Sequence, residues 1–217
     1  MSASIAIYVE GGGDGRGKGG AAAQFRIGMS AFLGSVKTAA RSKRIHWRVV
    51  ACGARKAAYD SFIDACQREP ETFNVLLVDS EEPVPITVNP WAHLRNRPDD
   101  KWSQPGGGED RQCQLMVACM EAWFLADPAA LRGHYGGSFD ARKLPPVERA
   151  ESRTKADIFS ALKKAAQNTP AGGYEKIRDG ARLLEKVDSG EVRKYCPWCE
   201  RLFATLEEAV GTVQRRF

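Results

Sequence analysis

Apolar residues fall into two rhythms along this chain. Short, mostly apolar runs at Ile5–Val9, Trp47–Cys52 and Phe73–Val78 ("FNVLLV") are rich in β-favouring residues and end near glycine or acid. Such near-continuous runs predict strands covered on both faces. A fourth run, "QLMVACM" at Gln114–Met120, turns directly into "EAWFLAD". The second rhythm is helical. Over Ala21–Ala40, Phe25, Met29, Phe32, Leu33 and Val36 share one face, and Arg55–Gln67 reads as a second helix. Strands separated by helices of this length predict right-handed crossovers and a mainly parallel sheet. Beyond Asp127 only helices follow, over Pro128–Arg132, Lys155–Gln167, Ile177–Lys186 and Pro197–Val210. The expectation is an α/β core over residues 1–130 and a helical C-terminal region over 131–217 packed on it. "LPPVERAESRT" marks a join.

Between the third and fourth runs lies a long connection, "EEPVPITVNPWAHLRNRPDDKWSQPGGGED". Connections of this length are functional or disordered, and Trp91 and Trp102 argue against disorder. The 217 residues suffice for one full core, and 43% hydrophobic content fits an ordinary globular domain. No run approaches the ~18 apolar residues of a membrane span, and the opening Met-Ser-Ala-Ser-Ile does not resemble a signal peptide. A cytoplasmic location without membrane contact is the expectation. Six cysteines, Cys52, Cys66, Cys113, Cys119, Cys196 and Cys199, then read as reduced core thiols. Cys196-Pro-Trp-Cys199 lacks the second ligand pair that a zinc site needs.

The net charge of +5 is unevenly placed. From Gly15 through Tyr59 there is no acid, while Arg16, Lys18, Arg26, Lys37, Arg41, Lys43, Arg44, Arg48, Arg55 and Lys56 are all basic. On a continuous helix, Arg26, Lys37, Arg41 and Arg44 fall within one arc. That arc suits the backbone of a nucleic acid, the alternative being an ordinary solvated face.

Three chemistries compete for the glycine-rich stretch "IYVEGGGDGRGKGGAAAQF". A P-loop is nearly matched from Gly12 to Lys18, but Gly19 stands where the magnesium-binding hydroxyl belongs, and Asp14 would repel a phosphate. A dinucleotide loop is matched by Gly15, Gly17 and Gly20, without the acid that should follow ~20 residues on. The third reading starts from Glu10, at the carboxyl end of the first strand. Asp79 and Glu81 follow the third strand, and Glu121 follows the fourth. A parallel sheet brings such strand ends together, where ligands gather. Crowded carboxylates repel, and a hard divalent cation with oxygen ligands relieves them. The expectation is therefore a metal site for Mg²⁺ or Mn²⁺.

"YVEGGGD", "LLVDSEEP" and "MEAWFLAD" resemble the TOPRIM fold shared by topoisomerases, primases and OLD-family nucleases. Nearly the whole chain resembles a small bacterial TOPRIM-like family of uncharacterised function, through "LVDSEEPV", "PWAHL", "LMVACMEAWFLAD" and "GGYEKIRDGARLLEKVD". The resemblance implies a TOPRIM-like sheet and a metal-dependent nuclease working beside an ATPase partner in a mobile-element or defence setting. It implies metal ligation by Glu10, Asp14, Asp79, Glu81 and Glu121, with Glu10 and Asp79 catalytic. It also places Lys176 where a lysine neutralises phosphate charge, although a solvated helix lysine is an equal alternative. One departure is that Glu81 stands where the pattern has aspartate, with Glu82 as a substitute ligand. Asp127, before Pro128, reads better as a helix N-cap, and Trp123 and Phe124 as core. The competing function is a non-catalytic subunit that binds nucleic acid or a protein partner on the same frame.

Overall fold

A computed structural model describes residues 3–13 and 20–212. Asp14, Arg16 and Lys18 lie outside the described residues. Four parallel strands form one sheet in the order β2-β1-β3-β4: β1 Ser4–Val9, β2 His46–Ala51, β3 Thr72–Asp79 and β4 Cys113–Met116. β1 is central, with Ile7 pairing both Val49 and Val75. The protein is thus an α/β fold, its all-parallel sheet flanked by helices and followed by a helical C-terminal region.

Alternation along the central strands explains why the apolar runs are unbroken. Ile5, Ile7, Val9, Val75 and Leu77 point into one hydrophobic cluster, while Ala6, Tyr8, Leu76 and Val78 point into another. The second cluster is closed by α3 (Arg55–Arg68) through Phe62 and by α4 (Pro90–Asn96) through Trp91. The first is covered by α1 (Gly20–Phe32) and α2 (Gly34–Ser42), together with much of the C-terminal region. There α5 (Ala122–Leu125), α6 (Pro128–Tyr135), α7 (Lys155–Ala166), α8 (Lys176–Leu184), α9 (Ser189–Tyr195) and α10 (Pro197–Thr212) follow in order. Leu162, Leu184, Leu202 and Phe203 share this cluster with Ile5 and Ile7. Each such fully buried large side chain contributes about 1.5–3 kcal/mol.

Four local features differ from the sequence expectation. The helix expected over Ala21–Ala40 is two helices broken at Leu33. Gly34 opens the second, and Phe32, stacked on Trp123 at 4.7 Å, holds the bend against the core. The fourth strand ends at Met116 rather than Met120. Past it the chain leaves the sheet, because the Ala118 amide donates to Ser80 Oγ at 2.7 Å while the Glu81 amide donates to Ala118 O at 3.0 Å. Helix α4 lies inside the long connection, signalled by the Asn89 cap on Ala92 N and by Pro90 at the first turn. Helix α9 likewise begins at a capping aspartate, Asp188. Among the described residues no helix is long and apolar enough to cross a membrane. Cys196 and Cys199 are fully buried, and burial pushes both thiols up, as suits core residues.

Candidate metal centre

β1 and β3 are neighbours running the same way, with Val9 beside Leu77, so the residues that follow them emerge together. The Glu10 amide continues the ladder by donating to Leu77 O at 3.0 Å. Its side chain turns across to β3, where Glu10 Oε2 accepts the Asp79 amide at 3.1 Å. Glu81 sits in the left-handed region, φ 70°, which is costly for a residue with a side chain. The result is that carboxylate oxygens of Glu10, Asp79 and Glu81 all lie within 4.8 Å of one another. Asp79 is 2% exposed, and Glu10 and Glu81 are half-buried. Glu121 stands just outside this triad. It is fully buried, with Oε1 accepting the Tyr174 hydroxyl at 3.0 Å and Oε2 lacking any partner among the described residues.

Among the described residues, three cations surround these acids. Arg55 Nη1 donates to Glu10 Oε2 at 3.1 Å and to the Asp79 carbonyl. Its other nitrogens are held by Asp100 at 2.7 and 2.9 Å, and Arg97 also grips Asp100. Lys155 Nζ, from the first turn of α7, donates to Asp79 Oδ2 at 3.2 Å and to both Glu81 oxygens at 2.9 Å. Lys176 Nζ, at the start of α8, lies 3.5 Å from Glu121 Oε1 and 4.0 Å from Asp79 Oδ2. The repulsion that a hard divalent cation was expected to relieve is thus already offset in large part by Arg55, Lys155 and Lys176.

The offset is incomplete at the centre. Burial, then the neighbouring Glu10 carboxylate, push the Asp79 carboxyl up to about 7 despite Lys176 and Lys155. Burial also raises Glu10, against the pull of Arg55 and the Asp79 amide. Burial would lower Lys155 and Lys176, but the facing carboxylates outweigh it and hold both ammoniums above the ordinary lysine value. The donor set fits a hard cation: three carboxylates converge, and the Lys155 ammonium already bridges two of them.

The other expected residues are placed as follows. Arg26 is exposed on α1, while Lys37 and Arg41 lie on α2 beyond the break. Arg44 lies past the end of α2 with φ 58°, so these four do not share one continuous helix. Asp127 caps α6 through Ala130 N at 3.0 Å, and Trp123 and Phe124 are fully buried. Gly11, Gly12 and Gly13 take φ of 126°, 93° and 120°, which favours glycine. A Cβ on Gly11 would lie 2.7 Å from the Phe25 ring, so close backbone approach is also at stake.

Sequence reasoning missed Lys155, Arg55 and Asp100 as site residues. Lys155 carried a usable signal: Thr154 caps α7 on Asp157 N at 3.2 Å, fixing a lysine in a helix's first turn. Arg55 reads in the sequence only as one of the basic residues of its segment, and nothing local distinguishes it.

Fold and site define a parallel α/β protein with a buried acidic cluster at one end of its sheet, able to hold a metal ion. The chain belongs to the family described as "Domain of unknown function (DUF4276)", whose model matches residues 28–207. That span contains Asp79, Glu81, Glu121, Lys155 and Lys176, and begins after Glu10 and the glycine loop. Searches of curated proteins and of solved structures returned no significant match.

Proposed function

We propose that the protein is a metal-dependent phosphodiesterase acting on nucleic acid, with Mg²⁺ or Mn²⁺ held by Glu10, Asp79 and Glu81. The observation that carries this is the convergence of three carboxylates within 4.8 Å at the ends of adjacent strands. The resemblance of "YVEGGGD" and "LLVDSEEP" to the TOPRIM pattern supports it, as does the pairing of β1 with β3 that brings those two motifs together. Ions bound there would supply an activated water and charge neutralisation for in-line displacement at phosphorus. The chain's own residues do the positioning. Asp100 and Arg97 hold Arg55, and Arg55 holds Glu10. Lys176, half-exposed beside Asp79, faces the place where a phosphate oxygen would gather charge. Exposed Arg26 and Arg41 would touch the nucleic-acid backbone without reading bases. An ATPase partner belongs to the same reading.

A second reading has its own observation. Arg55, Lys155 and Lys176 already pair with the acids, so the cluster holds together as a salt-bridged core without metal. On that reading the protein binds nucleic acid or a protein partner and cleaves nothing. One experiment separates the two. Thermal melting and cleavage of a labelled oligonucleotide are followed with Mn²⁺ and with chelator, for the wild type, Glu10→Gln and Asp79→Asn. The enzyme reading expects a Mn²⁺-induced rise in melting temperature and cleavage, both lost in the two variants. Equal melting curves in Mn²⁺ and chelator, with nucleic-acid binding intact, return the protein to the binding reading.

A further inference from the structure

A cleft of about 620 Å³ opens between the start of α1 and the start of α8, directly beside the acidic cluster. Among the described residues its polar side chains are Glu10, Asp79 and Lys176, which neighbour one another. The remaining lining is glycine and apolar, with Phe25, Met120, Ile177 and Ala181 the principal side chains. Ile177 is 85% exposed, the most exposed of the large apolar residues among those described, and it follows Lys176 directly. It belongs to neither hydrophobic cluster of the described residues.

The two helices splay apart from a tight crossing. A Cβ on Gly28 would lie 2.4 Å from Ala181 O and 3.1 Å from Leu184 Cβ, so α1 and α8 touch there through bare backbone. One to two turns earlier, at Ala21, Phe25 and Ile177, they stand apart and line the cleft. The space is therefore closed at one end and charged at the other.

We infer that this cleft receives a single unstacked nucleoside of the strand whose phosphate lies at the acidic cluster, and that it does so without reading the base. The inference rests on the phosphodiesterase reading and names its substrate: a strand end or an unpaired nucleotide, not a continuous duplex. The volume lies within the ~300–1,000 Å³ of small-ligand sites. The apolar lining gives a base contact area, while among the described residues no neutral polar side chain lines the cleft to recognise a base edge. Lys176 at the charged end complements a phosphate, and α8 begins without a side-chain cap, leaving its first amides to favour the same anion. A paired base must first leave its stack, so single strands and frayed ends are preferred.

The test uses the full chain, with Ile177→Ser to remove the apolar lip and Ala21→Leu to fill the cleft from an exposed position. Three quantities are measured: the Mn²⁺-induced melting shift, cleavage of a single-stranded oligonucleotide against a blunt duplex, and inhibition by each of the four deoxynucleoside monophosphates. Both variants should keep the Mn²⁺ shift. Each should lose about five- to hundredfold in single-strand cleavage and in mononucleotide inhibition, the range expected for one lost base contact. The wild type should prefer the single strand, and the four mononucleotides should inhibit within about fivefold of one another, as a contact without edge readout requires. Variants that keep wild-type cleavage and inhibition while binding Mn²⁺ overturn the cleft assignment alone. A strong preference for one base, or for the intact duplex, overturns it as well. No Mn²⁺ shift in the wild type strikes the underlying phosphodiesterase reading, and the cleft assignment falls with it.

Discussion

Asp79 and Asp179 are equally buried, at 2% exposure each, and they sit in opposite electrostatic worlds. Asp179, on α8, accepts the Tyr135 hydroxyl and the Glu175 amide at 2.9 Å and two Arg178 nitrogens at 2.7 and 2.8 Å. Burial would raise its carboxyl, but the Arg178 pairing and these hydrogen bonds win and hold it at about 2. Asp79 has the Met120 amide at 3.0 Å and Lys155 at 3.2 Å, and it shares its surroundings with Glu10, Glu81 and Glu121. Its carboxyl rises to about 7. Burial alone therefore does not mark a functional acid. What separates the two is the balance of donors to acids: Asp179 is saturated by its own fold, while the acids around Asp79 keep capacity for a further cation.

The largest expected effect tests that balance in metal-free protein. Asp179→Ala leaves Arg178 and Tyr135 without their acceptor and should cost about 3 kcal/mol in urea denaturation, the upper end for a lost hydrogen bond to a charged group. Asp79→Asn removes one acid from a crowd, so its cost should stay within about 1 kcal/mol. Comparable losses in both variants would erase the distinction. Next in size is the response to Mn²⁺. At a hundredfold excess over Kd, a ligand of the native state adds about 2.7 kcal/mol. Asp79→Asn and Glu10→Gln should abolish this gain, whereas a melting curve of Asp179→Asn should move upward with Mn²⁺ as far as the wild type does.

The pH dependence of stability has opposite signs at the two sites. Asp179 titrates lower folded than unfolded, so its stabilisation is present above about 4 and lost as pH falls through 2. The change is about 2 kcal/mol at 1.36 kcal/mol per unit. Asp79 titrates higher folded than unfolded, so stability is fully present below about 4 and declines as pH rises through 7. Chelated Asp79→Asn should flatten the decline between pH 4 and 7 in denaturation series. Asp179→Asn should flatten the acid limb instead. A wild type whose stability rises steadily from pH 4 to 7, with no change in Asp79→Asn, contradicts the assignment of Asp79.

The acids were legible in the sequence because Glu10, Asp79 and Glu121 follow apolar runs directly and Glu81 stands two residues past Asp79, and a parallel sheet sends such residues to one end. The strand order that makes β1 and β3 neighbours was not legible, since crossover lengths permit several orders. The cations were hidden for a related reason. Lys155 reaches Asp79 across 76 positions and Arg55 reaches Glu10 across 45, distances over which periodicity carries no information. Leu33 shows the same limit at smaller scale. The apolar face runs unbroken through it, and the break is set by Gly34 together with the tertiary packing of Phe32 on Trp123.

Glu121 is the case that divides the two environments most finely, and its expected effect is the smallest. It is buried like Asp179, yet one oxygen has no partner among the described residues, and like Asp79 it faces Lys176. It stands outside the triad whose oxygens lie within 4.8 Å, although the sequence had placed it among the ligands. A residue that only supports the triad acts through Lys176 and Tyr174. Glu121→Gln would then keep an acceptor for the Tyr174 hydroxyl and lose only the charge facing Lys176. Its stability should change by less than about 1 kcal/mol, roughly 2–4 °C in Tm, and the Mn²⁺-induced shift should survive. Loss of that shift, equal to the loss in Asp79→Asn, would instead make Glu121 a fourth ligand. Its unpartnered oxygen would then be the one waiting for metal.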